Sequence, residues 1–78
     1  MQIHVEFLGP IQRGNWAQKE TIPTGDGRLL ADFLVEIGFL AEHLIHILVV
    51  RNGVLTRDFD TPLTDGDSLQ LSVLLGGG

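Results

Sequence analysis

The feature that most constrains the fold of this chain is one segment with the apolar spacing of an amphipathic helix. Its apolar residues recur at i, i+3, i+4 and i+7, namely Leu30, Phe33, Leu34 and Ile37. Gly38 follows at once and suits the left-handed position just past a helix C-terminus, whereas Asp26 is the best side-chain cap available for the start. An apolar helix face must be buried against another layer, and one face of a β-sheet is the only surface large enough here.

The segment before the helix predicts a β-hairpin. Ile3, Val5 and Phe7 alternate with polar residues, which is the period of two expected of a half-buried strand. Pro10 ends this strand because proline lacks the N–H that a ladder of hydrogen bonds needs. Residues 17–22 can then return as a second strand.

The segment after the helix predicts three more strands. Residues 45–51 form a nearly continuous apolar strand, and the Asn52-Gly53 pair that follows supplies the positive φ angles of a type I′ hairpin turn. Residues 54–57 can form the return strand. After a turn at residues 65–67, polar and apolar residues alternate over residues 68–73 and predict the final strand.

The order β-β-α-β-β-β predicts an α+β fold of the β-grasp type, a mixed sheet of four to five strands with one main helix packed on one face. We expect one domain at residues 1–75, because a chain of 78 residues can bury only one small core. The three terminal glycines, residues 76–78, are expected to form a flexible tail. The candidates for the sheet face under the helix are Ile3, Val5, Leu48, Val50, Leu69 and Leu71.

Charge and composition exclude several classes of function. Ten acidic residues against five scattered basic ones give a net charge of −5, and nucleic-acid binders instead cluster positive charge to neutralise phosphates. The absence of cysteine excludes a disulfide framework, a cysteine-ligated metal and a cysteine nucleophile. The start of the chain lacks a signal-peptide pattern, and the longest apolar run, residues 47–50, is far below the roughly 20 residues that span a bilayer. We therefore expect a cytoplasmic protein with no nucleic-acid or membrane partner.

Histidines and tryptophan suggest no metal or ligand site. His4, His43 and His46 belong to no carboxylate–histidine zinc motif, and we place His46 in a strand, where helical spacing from His43 does not apply. Trp16, in the first hairpin, is interpreted as a packing residue. We expect no metal site and no bound cofactor.

Acidic residues near the last turn do not form a calcium loop, because their spacing is wrong and Pro62 interrupts them. We interpret them as turn formers and solvated charges: Asp58, Asp60, Asp65 and Asp67. Asp65 is expected to hydrogen-bond within its own turn, as aspartate often does. No constellation of acid, base and nucleophile is visible, so we expect the chain not to be an enzyme.

Several motifs resemble the MoaD and ThiS family of ubiquitin-like sulfur carriers, over nearly the whole chain. Residues 61–69 resemble the family's T-x-L-x-D-G-D-x-V stretch, the hairpin at residues 48–53 resembles the family's own, and Gly77-Gly78 matches its reactive end. The start at residues 7–11 resembles the MoaD branch. Residues 72–75 look more like ThiS, since MoaD proteins usually carry a Pro-Pro element there, and a third terminal glycine is present. The resemblance therefore leaves the branch, and the pathway, open.

The resemblance implies a specific chemistry for the tail. An ATP-using adenylating enzyme of the ubiquitin-activating type would activate the carboxylate of Gly78, and sulfur would then replace an oxygen to give a thiocarboxylate. A sulfur-transfer synthase would pass that sulfur to a precursor of molybdopterin or of the thiamine thiazole. Because glycine lacks a Cβ atom, Gly76 and Gly77 would let the tail enter a narrow site on a partner.

The resemblance also implies a docking surface, since related carriers dock through the sheet face opposite the helix. Phe59 and Leu74 are our candidates for apolar docking residues, and Asp58 and Asp60 are candidates to meet a basic patch on the activating enzyme. Two other functions stay open. One is a ubiquitin-like modifier joined through Gly78 to lysines of other proteins, and the other is a non-covalent interaction module with an inert tail.

Overall fold

The computed structural model describes residues 1–73, and the predicted tail at residues 76–78 lies outside them. Within this range, five strands and one α-helix follow in the predicted order, and a 3₁₀ helix that was not predicted lies between the α-helix and the third strand. They are β1 (Gln2–Phe7), β2 (Lys19–Pro23), α1 (Leu30–Glu36), the 3₁₀ helix (Ala41–His46), β3 (Ile47–Arg51), β4 (Val54–Thr56) and β5 (Ser68–Val73). The predicted β-grasp fold, a mixed sheet with one main helix, is confirmed.

The sheet has the strand order β2-β1-β5-β3-β4, so β5 occupies its centre although it is the last strand along the chain. β1 and β5 pair in parallel, with Val5 opposite Leu69, and every other neighbouring pair is antiparallel. A parallel neighbour cannot be reached by a tight turn, and α1 and the β3–β4 hairpin lie in the connection between them.

The helix buries its predicted apolar face against the sheet. Leu30, Phe33 and Leu34 are fully buried, and Ile37 is nearly so. Alternate residues of the strands meet them from below, which follows from the period of two along a strand. The buried members from the strands are Ile3, Val5, Phe7, Ile22, Ile47, Val49, Leu69 and Leu71.

The ends of α1 are closed differently from each other. Gly38 has φ of 123°, and the N–H groups of Gly38 and Phe39 donate to carbonyls of the last helical turn, as predicted for the C-terminus. The prediction that Asp26 caps the start is wrong. Leu29 is the N-cap residue, and the first helical N–H groups donate to the carbonyl oxygens of Thr61 and Phe59 at 3.0 and 2.9 Å. Asp26 instead pairs with the Met1 amine at 3.3 Å.

The β3 region departs from the sequence prediction in its start and its phase. Ile45 and His46 lie in the 3₁₀ helix and not in the strand. In β3 itself, Val49 faces the helix, whereas Leu48 and Val50 face the other side and are half-buried. The uninterrupted apolar run carries no alternation from which to choose the phase, and the pairing with β5 decides it.

Candidate functional site

The central strand β5 leads directly to the residues predicted to carry the chemistry. Its last residue, Val73, lies opposite Ile47 of β3, and on the other side the Leu8 N–H donates to the Leu71 carbonyl at 2.8 Å. Strand β5 is therefore held on both sides close to its end. The tail residues and Leu74 lie outside the described part of the chain.

A second feature of the site is the sheet face opposite α1, which we call the open face. One row of side chains crosses all five strands on this face by direct register: Lys19, Glu6, Gln70, Val50 and Leu55. The row changes character at β5, because its members on β2, β1 and β5 are polar and those on β3 and β4 are apolar.

The polar half of the open face is tied together by side-chain contacts. The Gln70 amide donates to Glu6 Oε1 at 3.1 Å, and Lys19 Nζ lies 4.0 Å from Glu6 Oε2. One row further along, His4 Nδ1 and Thr21 Oγ1 are 3.0 Å apart. These contacts form the floor of a shallow groove over β1, β2 and β5.

The apolar half of the open face consists of Leu48, Val50 and Leu55. Leu48 and Val50 are half-buried, and Leu55, opposite Val50 on β4, is 59% exposed. No element of the described chain covers them. Exposed, contiguous apolar side chains beside polar ones are typical of a protein–protein contact surface.

The start of β5 is anchored by Asp67, which is only 6% exposed. Its carboxylate accepts hydrogen bonds from Arg51 Nε at 3.0 Å, from the Asn52 amide at 2.9 Å and from the Thr64 N–H at 2.8 Å. Arg51 Nη2 also lies 2.7 Å from Asp67 Oδ2. Asn52 completes the anchor, since its Oδ1 accepts from the Ser68 N–H and its own N–H donates to the Ser68 carbonyl.

Two opposed effects act on the ionisation of Asp67. Burial of the carboxyl raises its pKa, but the hydrogen bonds from Asn52, from the Thr64 N–H and from Arg51, with the charge of Arg51, together lower the pKa below its usual value. The carboxylate is therefore the favoured form and holds Arg51 and Asn52 in place. Every buried side-chain nitrogen and oxygen among the described residues has a hydrogen-bond partner.

Comparison with known proteins gives a match to a solved structure. No protein-family model and no curated protein sequence matches the chain. Among solved structures, it is similar to a chain in the complex of subunits 1 and 2 of the molybdopterin-converting factor from Helicobacter pylori 26695. The two are 32% identical over 100% of each chain, with a TM-score of 0.64. The chain belongs to the MoaD-like family.

Three of the four docking residues predicted for this MoaD-like chain lie in one turn between β4 and β5. Phe59 is half-buried and packs against the core, and its carbonyl caps α1. Asp58 and Asp60 are exposed in the same turn, where Asp58 Oδ1 accepts from the Asp60 N–H at 3.2 Å. Their docking roles stay predictions, and Leu74 lies outside the described residues.

Other sequence interpretations have clear outcomes in the structure. Trp16 is a packing residue, as predicted, and its Nε1 donates to the Ile37 carbonyl at 2.8 Å. His43 and His46 both lie on the 3₁₀ helix, so placing His46 in a strand was wrong. Within residues 1–73, no three metal-binding side chains come together. Across the same range, no helix has the length and apolar character to cross a bilayer.

Sequence reasoning missed the two main features of this site. Asp67 was interpreted as a solvated turn residue and Asp65 as bonding within its turn, but Asp67 is buried and Asp65 Oδ1 accepts from the Gln2 N–H at 2.7 Å. The apolar half of the open face was assigned to the core through Leu48 and Val50. The available signal was an excess of apolar residues in β3 and β4 over what one buried face can accept.

Proposed function

We propose that the chain is a sulfur carrier of the MoaD type that acts in molybdopterin synthesis, with the carboxylate of Gly78 as the point of sulfur attachment. The observation that carries this proposal is the end-to-end similarity to a chain of a molybdopterin-converting factor complex. That similarity favours molybdopterin over thiamine as the pathway. The fold supports the same function, because the tail comes directly after the central strand β5 in the sequence and β5 adjoins an exposed apolar surface.

The proposed chemistry takes place on the tail in two steps. An adenylating partner joins the Gly78 carboxylate to the AMP part of ATP and releases pyrophosphate. A sulfur nucleophile then attacks the acyl carbon, the bond to the phosphate oxygen breaks, and AMP leaves. The chain itself contributes a carboxylate and its presentation, so it acts as a carrier and not as an enzyme. Presentation matters because fixing two reactants together can lower a barrier by up to about 7–11 kcal/mol.

The open face is the surface we assign to the partners, an adenylating enzyme of the ubiquitin-activating type and a sulfur-transfer synthase. Its apolar half, Leu48, Val50 and Leu55, adjoins β5, so a partner seated there also lies beside the strand that leads to the tail. The polar half offers Gln70 and Glu6 as hydrogen-bonding groups at the rim. Apolar anchors with a polar rim are the usual anatomy of such contacts.

The experiment that tests this function is intact-protein mass spectrometry after incubation with ATP, magnesium, a sulfide source and the host's adenylating enzyme. We expect a mass increase equal to sulfur replacing oxygen. The matched control lacks Gly76, Gly77 and Gly78 and should show no increase, because it ends at Leu75, whose side chain a narrow adenylation site does not admit.

Three results would replace the proposal with another function. High-mass conjugates of the chain with host proteins, without a thiocarboxylate, would indicate a ubiquitin-like modifier. If the chain still performs its role in the host after deletion of Gly77 and Gly78, the tail is inert and the chain is a non-covalent interaction module. Failure of adenylation by an enzyme that activates another carrier would exclude the carboxylate chemistry altogether.

A further inference from the structure

Lys19 is the only lysine among the 78 residues. It begins β2, which forms one edge of the sheet, and its side chain is 78% exposed. Its charged neighbour is Glu6, at 4.0 Å, and exposed ion pairs of this kind contribute only about 0–1 kcal/mol. The amine is therefore free to move and to reach a second molecule.

The other nitrogen groups of the described chain are poor nucleophiles by comparison. The four arginines stay protonated, so their guanidinium groups do not attack an acyl carbon. The Met1 amine donates to the Thr24 carbonyl at 2.7 Å and to Asp26 at 3.3 Å, and it must give up both contacts to react. Histidine side chains can accept an acyl group, but water cleaves an acyl-imidazole, so the three histidines give no stable linkage. Lys19 is therefore the exposed amine that can form a lasting amide without giving up two hydrogen bonds.

We propose that Lys19 is the single acceptor site for self-conjugation of this chain, an inference that rests on the proposed function. Its ammonium group first loses a proton to solvent, and the neutral amine attacks the acyl carbon of an adenylated Gly78. A C–N bond forms, the bond from carbon to phosphate oxygen breaks, and AMP leaves with that electron pair, while the nitrogen loses a second proton to solvent. The product is an isopeptide bond between Gly78 and Lys19.

The same acyl adenylate serves sulfur transfer and self-conjugation, so the two products compete. A sulfur nucleophile supplied by the adenylating system consumes the adenylate and suppresses the isopeptide. Without a sulfur source, the Lys19 amine competes mainly with water for the adenylate. Self-conjugation therefore reports a shortage of sulfur, and it has one linkage type because there is one lysine.

The test uses the full chain with ATP, magnesium and the adenylating enzyme, with and without sulfide. Intact mass shows whether a species forms by loss of one water per linkage, and peptide mapping locates it. We expect the isopeptide at Lys19 without sulfide and its loss when sulfide is added. The matched variant is Lys19→Arg, which keeps the positive charge and should lose the isopeptide. The ratio of isopeptide formed without sulfide to thiocarboxylate formed with sulfide corrects for any change in its adenylation.

The outcomes separate this inference from the proposed function. A thiocarboxylate with sulfide, but no isopeptide without it, overturns self-conjugation and leaves the carrier function intact. A linkage at the Met1 amine, or an adduct that persists in Lys19→Arg, also overturns the assignment to Lys19. Absence of ATP–pyrophosphate exchange with a competent enzyme overturns both proposals.

Discussion

Asp67 shows how one residue joins segments that are far apart in the chain. Its three donor residues come from the end of β3, from the β3–β4 turn and from the loop before β5. Arg51 extends the contact, since Nη2 also donates to the Pro62 carbonyl at 3.0 Å. The start of the central strand is thereby fixed relative to the loop that caps the helix.

Replacing Asp67 with asparagine should lower the free energy of unfolding by about 2–4 kcal/mol, because the substitution removes a charged acceptor and leaves Arg51 without its partner. Urea unfolding at pH 7 measures the difference. Asp60→Asn is the matched control, since Asp60 is exposed, and it should stay within about 0.5 kcal/mol of the wild type. Equal losses in both variants would refute the anchoring role of Asp67.

The lowered pKa of Asp67 also predicts a pH dependence. A carboxyl whose pKa is lower in the folded than in the unfolded chain stabilises the fold above the unfolded value, about 3.9. That stability is lost as the pH falls through the folded pKa. The gap in unfolding free energy between wild type and Asp67→Asn should therefore be constant near neutral pH and shrink below about pH 4. A gap that grows on acidification would contradict this assignment.

Little of the Asp67 anchor is predictable from the sequence, because its donors are brought together only by the tertiary structure. Asp65-Gly66-Asp67 reads locally as a turn, and Gly66 does adopt φ of 86°. The turn was therefore predicted, while the different partners of its two aspartates were not. The missing Asp26 cap has a similar cause, since backbone carbonyls from a distant loop take its place.

At the scale of elements, predictions succeeded where the periodicity is local. The stripe on α1 repeats every three or four residues, so the buried face follows directly from the sequence. Strand β3 offers no such repeat, and its phase depends on the register with β5. The Asn52-Gly53 turn was correct because it depends on two residues alone, with φ of 50° and 84°.

This turn supports a test with a matched pair of glycine substitutions. Gly53→Ala should destabilise the chain by about 1–2 kcal/mol, the cost of holding a Cβ-bearing residue at a left-handed φ. Gly25→Ala should be neutral or slightly stabilising, because its Cβ would meet only the Arg28 side chain at an ordinary 3.5 Å. Thermal or urea unfolding compares them, and a reversed order would show that the turn does not set the stability of the hairpin.

At the scale of the whole molecule, the two faces of the sheet differ in what covers them. One face is buried under α1 and forms the core. On the open face, the apolar half is not covered by any element of residues 1–73. The family resemblance, which rests on sequence motifs, predicted that partners dock on that face. The residues that form it had to be read from the strand register.

Neighbouring residues of β4 test the open face as the docking surface. Leu55 lies on it, and Val54, with a similar exposure, points to the other side. Leu55→Asp should weaken binding to the proposed sulfur-transfer synthase by about tenfold or more, as for an apolar contact residue. Val54→Asp should bind within a few-fold of wild type. Isothermal titration calorimetry measures both, and equal affinities would place the contact elsewhere.

The parallel pairing of β1 with β5 joins residues as far apart as Glu6 and Gln70, which are 64 positions apart. During synthesis the first hairpin and the helix emerge long before the strand that must be inserted between β1 and β3. Such distant pairing makes folding slow and leaves two strand edges exposed until the end. A chain that ends before residue 68 therefore lacks its central strand, and its two unpaired strand edges favour aggregation. Completion of the sheet thus waits for the strand that immediately precedes the proposed reactive tail.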